Sequence, residues 1–312
     1  MSTATAIRDM ADLPMQQPSA PAGVAQARAR FFNSGNAFDV ALPEVPARVF
    51  APPPEGRTGW FDCDQSDAMA CAFAATTPLM LARYARIAAG GALTTETRAT
   101  GSVWYVIAGG GRVQGMEEGF AFAAGDIFLL PGASGYRLEA GSKGALLWTV
   151  GNEPQLALDA SRPARPADAP IDPVHYPAEE IERQLELILS MESRDSTSGR
   201  ALIFSSDRQA EARNLTPTLT LSFNTLAPHS HQRTHRHNSA AVTLVVQGDH
   251  CHSVVGAQHC PWAPWSTLVT PAGAPHSHHN AGARGARFLI VQDGGLHYHA
   301  RTMGFEFLEG AG

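Results

Sequence analysis

Thr234-His235-Arg236-His237-Asn238, followed further on by Pro271-Ala272-Gly273-Ala274-Pro275-His276-Ser277-His278-His279-Asn280, is the text on which the reading of this chain turns. On a strand, residues i and i+2 point to the same face. His235 and His237 therefore project together, into a barrel where that face is inward. His276 arrives from beyond a proline turn and completes a set of three. Three neutral imidazoles leave positions open to water, O2 or substrate, which suits a catalytic metal better than a closed structural one. A lone histidine is usually a surface or hydrogen-bonded residue; the joint spacing of His235, His237 and His276 makes them the expected metal ligands.

Outward from this segment the chain repeats itself. Val103-Trp-Tyr-Val-Ile-Ala-Gly109 precedes Gly125-Asp-Ile-Phe-Leu-Leu-Pro131, and Val242-Thr-Leu-Val-Val-Gln-Gly248 precedes Trp265-Ser-Thr-Leu-Val-Thr-Pro271. In each copy a β-branched and aromatic run ends at Gly, and a second such run ends at Pro. The two intervals differ by one residue, as hairpins allow. The repeat predicts two copies of one β-domain. Between them, Ser161 to Pro173 is rich in Pro, Ala and Asp and reads as a linker. Pro177 then opens a predicted helix over Ala178 to Glu192, with Ile181, Leu185, Ile188 and Leu189 on one stripe and Glu179 and Glu180 in the first turn. Such a stripe mostly buries apolar area, so the helix is read as a brace between the two domains.

Composition narrows the classes. The chain has 312 residues, 44% hydrophobic and 17% charged, with abundant Gly and Pro, a pattern of many short strands and turns. A net charge of −6 offers no basic face for nucleic acid. No apolar run is long enough to span a bilayer. The four cysteines, Cys63, Cys71, Cys251 and Cys260, form no CxxC pair. With no export signal in the Ala-, Pro- and Gln-rich stretch Met1 to Arg30, reduced thiols and a cytoplasmic location are expected. The expected divisions are an N-terminal arm and wrapping segment (1–60), a first barrel (61–155), a linker with helix (156–198) and a metal-binding barrel (199–312).

The motif text resembles the cupin superfamily. His235, His237 and Gly248 match its first motif; Pro271, Gly273, His276 and Asn280 match its second, with Trp265 where that motif opens on Gly. The resemblance implies an all-β fold: two cupin (double-stranded β-helix, jelly-roll) barrels in one chain, with a few short helices. The acidic ligand of many cupins is missing, since its positions hold Ala241 and Val242. That three-His pattern, together with Thr216 to Leu226 and His276-Ser-His-His-Asn280, resembles the gentisate/salicylate 1,2-dioxygenase group, over about residues 200–300. The resemblance implies ligands at His235, His237 and His276. It also implies a substrate-binding, acid–base role for His278 and an amide contact from Asn224, where the family usually has Gln. Two departures stand out. The arginine that clamps the substrate carboxylate falls on Thr243, leaving Arg233, Arg236 or another arginine to compensate. The active barrel is the C-terminal copy, whereas the family usually uses the N-terminal one.

By the repeat, Glu96, Arg98 and Tyr136 stand where the three ligands stand in the second copy, so the first barrel is expected to be structural, with Glu96 and Arg98 as an ion pair. His250, His252 and His259, beside Cys251 and Cys260, read as a strand-surface cluster; His229 and His231 line the loop before the motif; His279, His297 and His299 receive no catalytic role. The expected function is a cupin-type dioxygenase, iron(II) its cofactor with manganese, nickel or zinc as alternatives, cleaving an aromatic (hydroxybenzoate-like) or enol substrate with O2. The competing readings are a non-oxidative isomerase, decarboxylase or hydrolase on a small oxygenated acid, and a non-catalytic small-molecule-binding bicupin. The expected partners are a small-molecule substrate and O2, with no nucleic acid or membrane. Open strand edges favour a homo-oligomer, a dimer or tetramer.

Overall fold

The alternation of side chains along a few central strands explains how the chain is arranged. A computed structural model describes residues 7–95, 97–115, 119–192 and 199–309. The chain divides into two compact units, Met1–Pro43 and Glu44–Gly312. Among its described residues the first carries one helical turn, Val24–Ala27, and one bridge between Gln16 and Phe31. The second contains both copies of the repeat.

In the first copy, one mixed-length antiparallel sheet runs in the order Gly59–Asp62, Leu81–Ile87, Tyr136–Gly151, Gly101–Gln114, Ile127–Pro131, Val174–Tyr176. The long strands Gly101–Gln114 and Tyr136–Gly151 also take on Phe120–Ala123 and Ala92–Thr95, closing the barrel. They turn its corner at bulges after Val106 and Gly109. Gly109 has φ +77°, and a Cβ there would lie 2.0 Å from the carbonyl oxygen of Gly144, so no other residue fits.

The second copy is a sandwich of two sheets. One runs Val49–Phe50, Thr267–Thr270, Ala241–Gln247, Ala286–Gln292, Thr220–Leu226, Arg200–Phe204. The other runs Gln258–Pro261, Cys251–Val255, His276–Asn280, Ser230–His237, Phe305–Phe307. Part of the segment read as irregular wrapping thus supplies two strands: Val49–Phe50 joins the second barrel, and Gly59–Asp62 joins the first.

Period-two alternation divides each central strand between two environments. Val103, Tyr105 and Ile107 join Leu221, Phe223, Val242, Leu244, Leu289 and Val291 in one core shared by the two barrels. Their neighbours Trp104 and Val106 point the other way, into the first barrel. There Ile87, Phe122, Phe128, Leu130, Leu138 and Leu147 fill the interior. The corresponding inward faces of the second barrel carry Ser222, Asn224, Ala241, Thr243 and Gln292, small or polar residues that together with Ile290 leave a cavity. The same β-pattern therefore yields a packed barrel and a hollow one.

The helix Ala178–Leu189 is the brace that its stripe predicts, with one exception. Ile181 and Leu185 are buried in the shared core, burial that contributes roughly 2 kcal/mol per side chain, while Leu189 is exposed. The helix is tied to both barrels. Asp126 of the first accepts the Ala178 N–H at 2.8 Å, and Glu182 pairs with Arg287 of the second at 2.6 Å. No helix among the described residues is long and apolar enough to cross a membrane.

Candidate metal centre

The strand Ser230–His237 turns His235 and His237 inward, and the strand Thr267–Thr270 leads into the turn that delivers His276. That turn needs Gly273, whose φ is +74°. Its N–H donates to the carbonyl of His237 at 2.7 Å, which locks the second motif onto the first. Trp265, where the motif opens on Gly, keeps the left-handed backbone with φ +64°. The strain of a non-glycine residue there is of order 1 kcal/mol or more. It is offset at the barrel interface, where Trp265 packs against Tyr105 at 6.1 Å and its carbonyl accepts the Tyr84 hydroxyl at 2.5 Å.

His235 lies directly opposite His276 across the sheet. The ring centroids are 4.2 Å apart for His235 and His276, 4.7 Å for His237 and His276, and 5.9 Å for His235 and His237. One nitrogen of each ring lies within 4.8 Å of the others, and this is the one such convergent group of three among the described residues. All three rings are buried.

The partners of the other ring nitrogens fix the tautomers. His235 Nδ1 lies 2.8 Å from the carbonyl of Arg233, His237 Nδ1 2.8 Å from that of Ser239, and His276 Nδ1 2.9 Å from that of Ala274. A carbonyl only accepts, so each Nδ1 carries the proton and each Nε2 keeps its lone pair. Burial, and for His237 and His276 also neighbouring imidazoles, lowers the affinity of these rings for a second proton; His276 falls to about 2. The result is three neutral nitrogen donors with their orientation set by backbone, a donor set that fits a first-row dication.

His278 is arranged differently. Its Nδ1 lies 2.7 Å from Ser253 Oγ, which also accepts the Trp262 indole N–H at 2.8 Å. Ser253 is fully buried, and its hydroxyl proton has the His278 Nδ1 lone pair as its recipient. His278 Nδ1 is then an acceptor and Nε2–H is the donor left for the cavity. Burial drops the pKa of this ring to about 3, so it stays neutral. Four histidines on two strands thus divide into three lone-pair donors and one proton donor.

The cavity they line measures about 320 Å³, at the lower end of the range for small-molecule sites. Asn224 and Gln232 supply amides, and Asn224 Nδ2 donates to Ser222 Oγ at 2.8 Å. No Asp, Glu, Lys or Arg is among its described lining residues. Thr243 lies in the wall, so no guanidinium stands where the resemblance implies one. Neither proposed substitute compensates: Arg233 lies over the Phe307 ring at 3.8 Å, and Arg236 pairs with Glu306 at 2.6 Å. A larger cavity of about 610 Å³ opens between Thr97, Ala133 and Leu156 of the first barrel and shares no lining residue with the histidine site.

Several residues of the site escaped the sequence reading. The strand Phe305–Phe307 pairs with His235 to His237, and Phe305 closes the cavity beside the His235 ring at 5.2 Å. Its one signal was the alternation Phe-Glu-Phe. Tyr298, Met303 and Gln292 also line the cavity. His297 and His299 lie on the helix Gly294–Ala300, where i and i+2 diverge, and His297 accepts from Asn238 Nδ2 at 3.0 Å.

Four of the remaining histidines form a ladder on the outer face of the same sheet. His231 stacks on His279 (5.5 Å), His279 on His252 (4.7 Å) and His252 on His259 (4.3 Å). Cys251 and Cys260 face inward, as the alternation requires. In the first barrel the expected counterparts need correcting. Tyr136 lies opposite Thr95 as His276 lies opposite His235, so the inward pair is Thr95 and Thr97, both buried. Arg98 is exposed, and Glu96 falls outside the described residues.

No protein-family model matches the chain. Its fold is that of the cupins, with two barrels in one chain. Salicylate 1,2-dioxygenase from Pseudaminobacter salicylatoxidans superimposes with a TM-score of 0.71 at 13% identity, over 87% of this chain and 91% of that one. The gentisate complex of its W104Y mutant gives 0.69 at 13%, over 86% and 88%. A cupin 2 conserved barrel domain protein from Leptotrichia buccalis gives 0.51 at 12% identity, over 80% of this chain and 99% of that one. In sequence, a gentisate 1,2-dioxygenase from Ralstonia sp. is 28% identical over 89 residues, 28% of this chain. The match spans only 25% of the length of that relative.

Proposed function

We propose that the chain is a metal-dependent cupin dioxygenase that uses iron(II), held by His235, His237 and His276, to cleave an aromatic, hydroxybenzoate-like or enol substrate with O2. The observation that carries this reading is the convergence of three lone-pair nitrogens on a cavity whose described lining carries no Asp, Glu, Lys or Arg. When bound there, the metal supplies Lewis-acid and one-electron chemistry and a template for two substrate oxygens. Everything else is done by the chain. The carbonyls of Arg233, Ser239 and Ala274 hold the ligand rings in one tautomer. His278 Nε2–H donates to a substrate oxygen and can pass that proton on as charge develops. Asn224 orients the far side of the substrate, and Phe305 with Ile290 and Met303 excludes water.

The neutral wall at Thr243 narrows the substrate class. Without a guanidinium to clamp a carboxylate, the cavity favours a ligand whose polar atoms all lie on its chelating edge, such as an enediol, a catechol or a 2-hydroxybenzoate. The experiment is anaerobic iron loading, then oxygen uptake with a panel of hydroxylated benzoates and enols. Uptake above the His235→Ala background supports the reading. Uptake at that background for every member removes it.

A further inference from the structure

Ala241 and Gln292 lie directly opposite each other on neighbouring antiparallel strands. Side chains so placed share a face and a separation of about 5 Å. Of the two positions at which many cupins place an acidic ligand, Val242 faces the shared core and Ala241 faces the cavity. The alanine methyl leaves room, and Gln292 reaches into it from the next strand.

Gln292 Nε2 lies 3.2 Å from His237 Nε2. Its Oε1 lies 3.4 Å from the Ser239 hydroxyl. His237 Nδ1 is committed to the Ser239 carbonyl, so the amide N–H points at the lone pair that a metal would take. One lone pair cannot serve both. When a cation occupies it, the amide must present its other atom. A half-turn about the terminal torsion exchanges nitrogen for oxygen and aims Oε1 where the N–H was.

We propose that Gln292 is a fourth, neutral ligand of the metal held by the three histidines, binding through Oε1 in the space that Ala241 leaves open. This rests on the metal-site reading above and extends it. The chemistry is ordinary, since amide oxygen is a hard donor accepted by first-row dications. Its consequence lies in charge. Three imidazoles and an amide leave the full +2 of the metal uncompensated, and the cavity wall adds no carboxylate. The site therefore selects anionic chelators, with enolates, catecholates and salicylate-type ligands as the class.

The test needs no turnover. Apo-protein is titrated with Co2+ in the parent, Gln292→Ala, Gln292→Glu and His235→Ala forms, reading affinity and the visible d–d spectrum. The bidentate enolate acetylacetonate is then added to each loaded form. Gln292→Ala is expected to bind Co2+ about tenfold more weakly, with a changed band intensity. Gln292→Glu is expected to bind Co2+ more tightly than the parent and acetylacetonate at least about tenfold more weakly. Parent-like affinity and spectrum in Gln292→Ala, together with unchanged acetylacetonate binding in Gln292→Glu, would overturn the proposal while leaving the three-histidine site intact. Unchanged Co2+ binding in His235→Ala would instead remove the metal site itself.

Discussion

The Tyr84 hydroxyl of the first barrel lies 2.7 Å from Thr267 Oγ1 of the second, and the Trp148 indole N–H donates to the same oxygen at 3.0 Å. Three buried polar groups from two barrels satisfy one another in an otherwise apolar interface. Tyr84→Phe keeps the shape and leaves the Trp265 carbonyl without this donor. The expected loss is about 1–3 kcal/mol in urea unfolding, with Co2+ binding unchanged because Tyr84 lines no part of the cavity. An unchanged midpoint would show that the interface holds without this bond.

Removing a ligand and removing a tautomer should separate cleanly. His276→Ala is expected to abolish stoichiometric metal. Ser253→Ala is expected to retain it, because the Ser253 hydroxyl bonds His278 and Trp262 and none of the three ligand histidines. The freed His278 ring can then take the other tautomer and present a lone pair to the substrate instead of a proton. Turnover should drop by roughly 100-fold with metal content intact, the range for a lost general acid–base. Loss of metal in Ser253→Ala would place His278 in the ligand set.

The outer ladder sets an acid-side trend. Burial and then the facing imidazoles lower the pKa of His252 and of His279 from the ordinary 6.5. A depressed folded-state pKa means that the unfolded chain binds more protons as pH falls below about 6.5. The contribution is fully present above that pH and is lost below it. His279→Gln should therefore lose less stability between pH 7.5 and 5.5 than the parent, by on the order of 0.5 kcal/mol after solvent screening. Chemical denaturation at the two pH values measures this, and equal losses would refute it.

Thiol chemistry reports on the same interface as Tyr84. Cys63 is 1% exposed, and burial pushes its thiol up to about 12, whereas Cys71 is partly accessible. At pH 8 a thiol reagent should modify Cys71 first, although burial and the nearby Asp64 raise its thiol pKa, and leave Cys63 protected. Cys63 should react only at the rate of barrel opening, and Tyr84→Phe should speed it by up to about 100-fold, in line with the stability lost.

Much of this was legible in the sequence because it rests on period two. His235 and His237 share a face whatever surrounds them, and the β-rich runs ending at Gly109 and Gly248 announced the repeat. What failed was register across the repeat. A one-residue difference between copies shifted Thr95 and Thr97 to Glu96 and Arg98, and in a strand one residue exchanges inside for outside. Gln292 was illegible for another reason. Its meaning comes from standing opposite Ala241, a pairing that sequence distance conceals. The Phe305–Phe307 strand is three residues long, too short for its alternation to carry weight alone.

The edge of the second barrel is completed by Val49 and Phe50, which pair with Leu268 and Thr267, more than two hundred positions later. During synthesis that strand emerges long before its partner exists, and the barrel that holds the histidines waits for both ends. Folding of the site is therefore non-local and slow to nucleate, with a late edge open to mispairing. The histidine barrel cannot be expected to assemble at full speed once severed from the residues that precede the first one.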